Sequence, residues 1–168
     1  MYHSLPLITR ASRVLAPAIL PIVLSSLCAE AAADPVSMLK QGTTIYATYY
    51  TSIALAQIDI GDTGNEQLIE LFGTTRNMDG QKLFDDMAVH CLYSRGTISG
   101  KVGDSGACTV TDSDGDKVYT TFDTAARVQT VIGGTGKYNG ISGTAPYTAL
   151  SRWLSWGSSV AKVTWEFR

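Results

Sequence analysis

The last eight residues set the tightest limit on this chain. Ala161, Val163, Trp165 and Phe167 alternate with Lys162, Thr164, Glu166 and Arg168. Strict alternation is the period of a strand with one dry face and one wet face, and no helix can present it that way. Shorter runs rich in Thr, Val, Ile and Tyr fall at 43–51, 53–60, 66–73, 86–93, 96–102, 106–112, 117–123, 126–132 and 144–151. Turn signals separate them: Gly61-Asp62-Thr63-Gly64, Asn77-Met78-Asp79-Gly80, Gly103-Asp104-Ser105-Gly106 and Asp114-Gly115. Helix is expected only in short pieces, at Pro35 to Lys40 or Gly80 to Met87. Eight or nine short strands at this spacing predict an all-β domain, a closed barrel or a sandwich.

The N-terminus predicts a different fate for the first 33 residues. Residues 1–29 carry no acidic side chain, and Arg10 and Arg13 precede the apolar run Val14 to Leu24. Small residues follow, with cleavage expected after Ala31 or Ala33. Basic, apolar and small, in that order, is the pattern of a secretory signal peptide. The apolar run is too short for a membrane helix, and Pro17 and Pro21 interrupt it. Cys28 follows Leu27 rather than the small residue a lipoprotein signal wants. The domains are therefore read as signal peptide 1–33 and β-domain 34–168, in a secreted or periplasmic protein. The second segment has 11 basic against 14 acidic residues and no Lys/Arg run, so neither nucleic acid nor a membrane is an expected partner.

Two cysteines remain beyond residue 33, Cys91 and Cys108. An even pair in an exported domain predicts a disulfide between neighbouring strands. Two cysteines alone lack the further ligands of a zinc site, so no metal is expected there. The run Asp112-Ser113-Asp114-Gly115-Asp116 opens like a calcium loop, with Asp123 at the twelfth position. Lys117 occupies the glycine position of such loops, and an exposed hairpin turn on Asp114-Gly115 is the preferred reading.

Gly133-Gly134-Thr135-Gly136-Lys137-Tyr138-Asn139-Gly140-Ile141-Ser142-Gly143 is rich enough in glycine to suggest phosphate binding. The spacing excludes it. Val131 stands where a P-loop needs its first glycine, Tyr138 where it needs Ser or Thr, and Asn139 where a dinucleotide fingerprint needs its third glycine. No nucleotide or other cofactor is expected. With Val131 and Ile132, this stretch resembles the "GGTGKF…ARG" turn of the allene oxide cyclase and dirigent-like barrels. The segment Cys91 to Asp116 also looks like exported bacterial proteins related to them. The resemblance implies a single antiparallel β-barrel of about eight strands, with Gly133, Gly134, Gly136, Lys137, Tyr138, Gly140 and Gly143 forming a turn between two strands.

His90 is the one histidine after residue 33, and no Gly-x-Ser-x-Gly elbow is present, so a hydrolase triad has little to build on. His90 should face away from Cys91. Glu70 shares a strand face with Leu68 and Phe72. Were that face the lumen, Glu70 would be a carboxylate in apolar surroundings, usable as acid or base. Glu70 and His90 are thus the candidate catalytic residues, beside ordinary surface and structural readings of each. Resemblance to allene oxide cyclases implies an isomerase shaping a flexible apolar substrate, and resemblance to dirigent proteins implies guided radical coupling. Three functions follow: an exported barrel binding a small apolar or aromatic molecule, which is preferred; a cyclase or isomerase; or a structural barrel with a packed core. Such barrels often associate, so a homo-oligomer is a further expectation.

Overall fold

The computed structural model describes residues 40–153 and 155–168. The expected signal peptide lies outside them. Eight strands run in order: β1 (Gln41–Asp59), β2 (Gly64–Asn77), β3 (Ala88–Ile98), β4 (Lys101–Thr111), β5 (Lys117–Asp123), β6 (Val128–Gly134), β7 (Ile141–Trp153) and β8 (Trp156–Phe167). Each pairs antiparallel with its sequence neighbour, and β8 returns to β1, closing the barrel. The closing seam runs from Gln41↔Glu166 to Thr51↔Trp156. Closure is what the alternation in β8 leads to: Ala161, Val163 and Trp165 are buried, while Lys162, Thr164 and Glu166 face water.

Three boundaries differ from the sequence reading, each for a physical reason. The runs 43–51 and 53–60 form one long strand, because β2 pairs along its whole length with a shift at Ala54/Ala56. The run 96–102 spans a hairpin whose turn is Ser99-Gly100, both with positive φ (51° and 75°). Positive φ at both turn residues suits a tight hairpin of primed type. Gly103 to Gly106, expected as that turn, lies inside β4, where Asp104 pairs with Arg95 and Gly106 with Tyr93. A Cβ on Gly106 would come within 2.4 Å of the Tyr93 Cβ, so the glycine is there to let Tyr93 lie across the strand.

One end of the barrel is plugged. No helix forms over Gly80 to Met87; the chain folds inward irregularly and buries Phe84 and Met87 completely. Phe84 stacks on Tyr46 of β1 with centroids 4.3 Å apart. Its φ of 57° is unfavourable for a residue with a Cβ, and burial of the whole ring offsets that cost. Asn77 holds the loop, donating through Nδ2 to Thr44 Oγ1 and to the Leu83 carbonyl, both at 2.8 Å. Asp79 Oδ2 accepts from the Ile45 amide at 2.6 Å.

The glycine-rich segment and the acidic turn meet at this same end. Gly136 has φ 52°, and a Cβ there would collide with the Asp116 carboxylate. That close approach lets Lys137 reach the acidic turn. Its ammonium lies 2.6 Å from Asp112 Oδ2 and 3.9 Å from Asp116 Oδ2, and also pairs with Asp114. The lysine thus occupies the place a bound cation would take. Asp123, at the far end of β5, cannot complete a calcium loop. Burial pushes the Asp112 carboxyl up, but donors from Lys137, Tyr138 and the Asp114 and Asp116 amides outweigh it and hold it below its ordinary value. Hydrogen bonds to Asp112 and Asp114 raise Lys137.

Cys91 and Cys108 are directly opposed on β3 and β4 and form a disulfide, with Cα atoms 4.0 Å apart. Both are buried on the inward face. The bridge closes a loop of 17 residues' separation. Cys91→Ser should therefore lower the unfolding free energy by about 2–4 kcal/mol in denaturant titration; an unchanged midpoint would contradict the bridge.

The lowered Asp112 value gives a second expectation. A depressed carboxyl stabilises the fold above its unfolded value of about 3.9, and that contribution fades as pH falls through the folded value. Lys137→Met should be less stable than wild type at pH 7, with the difference shrinking below about pH 4. An equal difference at pH 7 and pH 3 would reject this account of the turn.

Candidate functional site

The inward faces of the strands enclose a cavity of about 160 Å³. Its wall is mainly apolar: Leu71, Val89, the Cys91–Cys108 bridge, Val110 and Phe122, with Tyr46 at the plugged end. Above it, at the end opposite the plug, the barrel opens into a basin of about 580 Å³. Arg95, Asp104, Thr124, Tyr147, Ala149 and Arg152 line both spaces, so the basin and the lumen are continuous.

Polar side chains line the lumen along its length, and its charged groups gather at that junction. Arg95 Nε donates to Asp104 Oδ2 at 3.0 Å and its terminal nitrogen to Tyr93 Oη at 3.1 Å. The guanidinium carbon also lies 5.2 Å from the Tyr93 ring centroid. Thr124 fixes the Asp104 backbone: its amide donates to the Asp104 carbonyl at 2.9 Å, and its Oγ1 accepts from the Asp104 amide at 3.1 Å. Asp104 Oδ1, although buried, has no partner among the described residues. A buried acceptor left without a donor is costly.

The tyrosines supply neutral hydroxyls. Burial raises Tyr93, Tyr50 and Tyr147 above the usual phenol range, with Arg95 pulling the first two back in part. Burial raises Tyr46 strongly. Its Oη donates to Gln129 Oε1 at 2.7 Å, across the lumen from β1 to β6. The arrangement can hold an apolar body against the wall with the Arg95–Asp104 pair and the tyrosine hydroxyls at its mouth.

The residues singled out in the sequence lie elsewhere. Glu70 and His90 are brought together, His90 Nε2 to Glu70 Oε1 at 2.8 Å, but on the outer face of β2 and β3. Phe72 stacks on His90 at 4.9 Å. Leu68 and Phe72 are exposed, so the face Glu70 shares with them is the outside. His90 does face away from Cys91, as alternation requires. The glycine-rich turn from Gly133 through Gly134, Gly136, Lys137, Tyr138 and Gly140 to Gly143 joins β6 to β7 at the plugged end, away from the basin. Sequence reasoning missed Arg95 and Asp104. The available signal was alternation, which sets Arg95 in phase with Cys91 and Tyr93, and Asp104 with Gly106 and Cys108.

Among the described residues no group of three or more His, Cys, Asp or Glu could hold a metal ion, and no helix is long and apolar enough to cross a membrane. No protein-family model matches the chain, and no curated protein does. Solved structures do. The pterocarpan synthase dirigent protein PsPTS1 aligns with a TM-score of 0.54 at 12% identity, over 77% of this chain and 98% of that one. The pterocarpan synthase dirigent protein GePTS1 aligns at 0.46 and 12% identity, over 78% and 88%. The closed eight-stranded antiparallel barrel of this chain has the dirigent-like fold.

Proposed function

We propose that this chain is an exported barrel that binds a small, mostly apolar molecule in its lumen, admitted through the basin. The observation that carries the reading is the apolar lumen itself, continuous with an open basin and with the Arg95–Asp104 pair at the junction. A polar substituent would lie beside the Arg95–Asp104 pair while the ligand's body excluded water from the wall. The lumen of about 160 Å³ holds only a compact group, with the rest of a ligand rising into the basin. Export is supported by the signal-like pattern of residues 1–33 and by the Cys91–Cys108 bridge.

The same junction favours a second reading. An isomerase or cyclase needs a proton acceptor beside its substrate, and Asp104 lines both spaces where Glu70 and His90 lie outside the barrel. PsPTS1, named as a pterocarpan synthase, supports a substrate-holding use of such a barrel.

Native mass spectrometry of protein from its own host is the test. Wild type should carry excess mass that is released on unfolding. Ala149→Phe, which narrows the junction, should reduce occupancy about tenfold, the equivalent of about 1.4 kcal/mol, at a nearly unchanged melting temperature. Wild type arriving at the mass of the polypeptide alone would overturn the binding reading. Asp104→Asn separates the two uses: retained binding with lost turnover favours chemistry, and lost binding favours anchoring alone.

A further inference from the structure

The charges around the mouth of the lumen do not balance. The basin is lined by three arginines, Arg95, Arg127 and Arg152, and by one carboxylate, Asp104. Arg95 already engages that carboxylate at 3.0 Å. Arg127 and Arg152 form no ion pair with any of the described residues. Asp123, on the same hairpin as Arg127, alternates with the lumen-lining Thr120 and Phe122 and so lies on the outer face of β5. Its Oδ1 accepts from the Ala125 amide at 2.7 Å.

The backbone brings both unpaired arginines to the mouth. In β7, Ala149 pairs with Ser159 and both line the lumen, so simple alternation would turn Arg152 outward. A register shift between Ala149 and Ser151 reverses the phase and sets Arg152 opposite Gly157. A Cβ on Gly157 would come within 2.6 Å of the Tyr50 hydroxyl, so this pair faces the lumen, which Tyr50 also lines. Arg127 reaches the basin from the turn between β5 and β6, where its carbonyl accepts from the Tyr147 amide at 3.0 Å.

We infer that the ligand is a single-ring aromatic carboxylate, its ring in the lumen and its carboxylate against Arg127 and Arg152. This inference rests on the lumen-binding reading above and names the class of molecule bound. The lumen of about 160 Å³ suits one ring; an apolar protein cavity of about 150 Å³ takes up benzene. Tyr93 and Phe122 line it edge to face, with centroids 5.5 Å apart, and offer a ring both kinds of aromatic contact. A guanidinium fork matches a carboxylate in shape and charge. Asp104 occupies Arg95, which leaves the other two arginines to receive the ligand's anion.

Isothermal titration calorimetry of the full chain tests this with benzoate, phenylacetate and 3-phenylpropanoate, each beside its uncharged amide. The amide reads the lumen alone, and the difference between acid and amide reads the arginines. The best acid should bind at least about tenfold more tightly than its amide, and added salt should shrink that advantage. Arg127→Gln and Arg152→Gln together change two exposed side chains. The double variant should erase the difference while leaving amide affinity and the circular dichroism spectrum unchanged. Equal affinity of acid and amide would overturn the inference and leave the lumen reading standing. An acid advantage that the double variant retains would overturn it as well. So would dodecanoate binding more tightly than every ring acid, which would put a chain in place of the ring. Should no probe bind, the inference falls, and the lumen reading is judged separately by the mass of protein from its host.

Discussion

Everything in this molecule depends on the seam between β1 and β8. Eleven residue pairs, Gln41↔Glu166 to Thr51↔Trp156, join the first strand to the last and leave no free edge along that length. An open sheet of these strands would expose unpaired amides and a wide apolar face, and would tend to associate along its edges. Closure converts that face into an interior, and the interior is larger than its side chains fill. The lumen is thus a consequence of closure, not a separate device.

The barrel then treats its two ends in opposite ways. At one end, ten residues between β2 and β3 fold in, and Phe84 and Met87 fill the bore against Tyr46. The Lys137 ammonium ties the acidic turn to the glycine-rich segment beside it. At the other end no such plug enters among the described residues, and Arg95, Asp104 and Tyr93 mark the depth at which the charged groups of the mouth begin. The disulfide lies between these levels and ties β3 to β4, the two strands that carry Arg95 and Asp104.

The strands were legible because alternation is local, whereas closure into a barrel was legible only through the resemblance of the glycine-rich turn. β8 could be read residue by residue, and Cys91 and Cys108 were legible through their even count and their faces. The site was legible only in part. β2 carries apolar residues on both faces, Ile69 and Leu71 inward, Leu68 and Phe72 outward, so period two could not tell Glu70 which side it was on. Asp104 was hidden because Gly103 and Gly106 look like a turn, whereas Gly106 makes room for Tyr93 within a strand. The plug had no local signal, since a buried phenylalanine at positive φ is set by its tertiary surroundings.

The central claim is that the apolar lumen, open to the basin beside the Arg95–Asp104 pair, is a binding space. A high-resolution crystal structure of the protein as isolated from its host tests it most directly. The account predicts a non-protein molecule in the cavity bounded by Tyr46, Leu71 and Phe122, reaching up to the Arg95–Asp104 pair. A collapsed lumen, filled by the protein's own side chains, would contradict it.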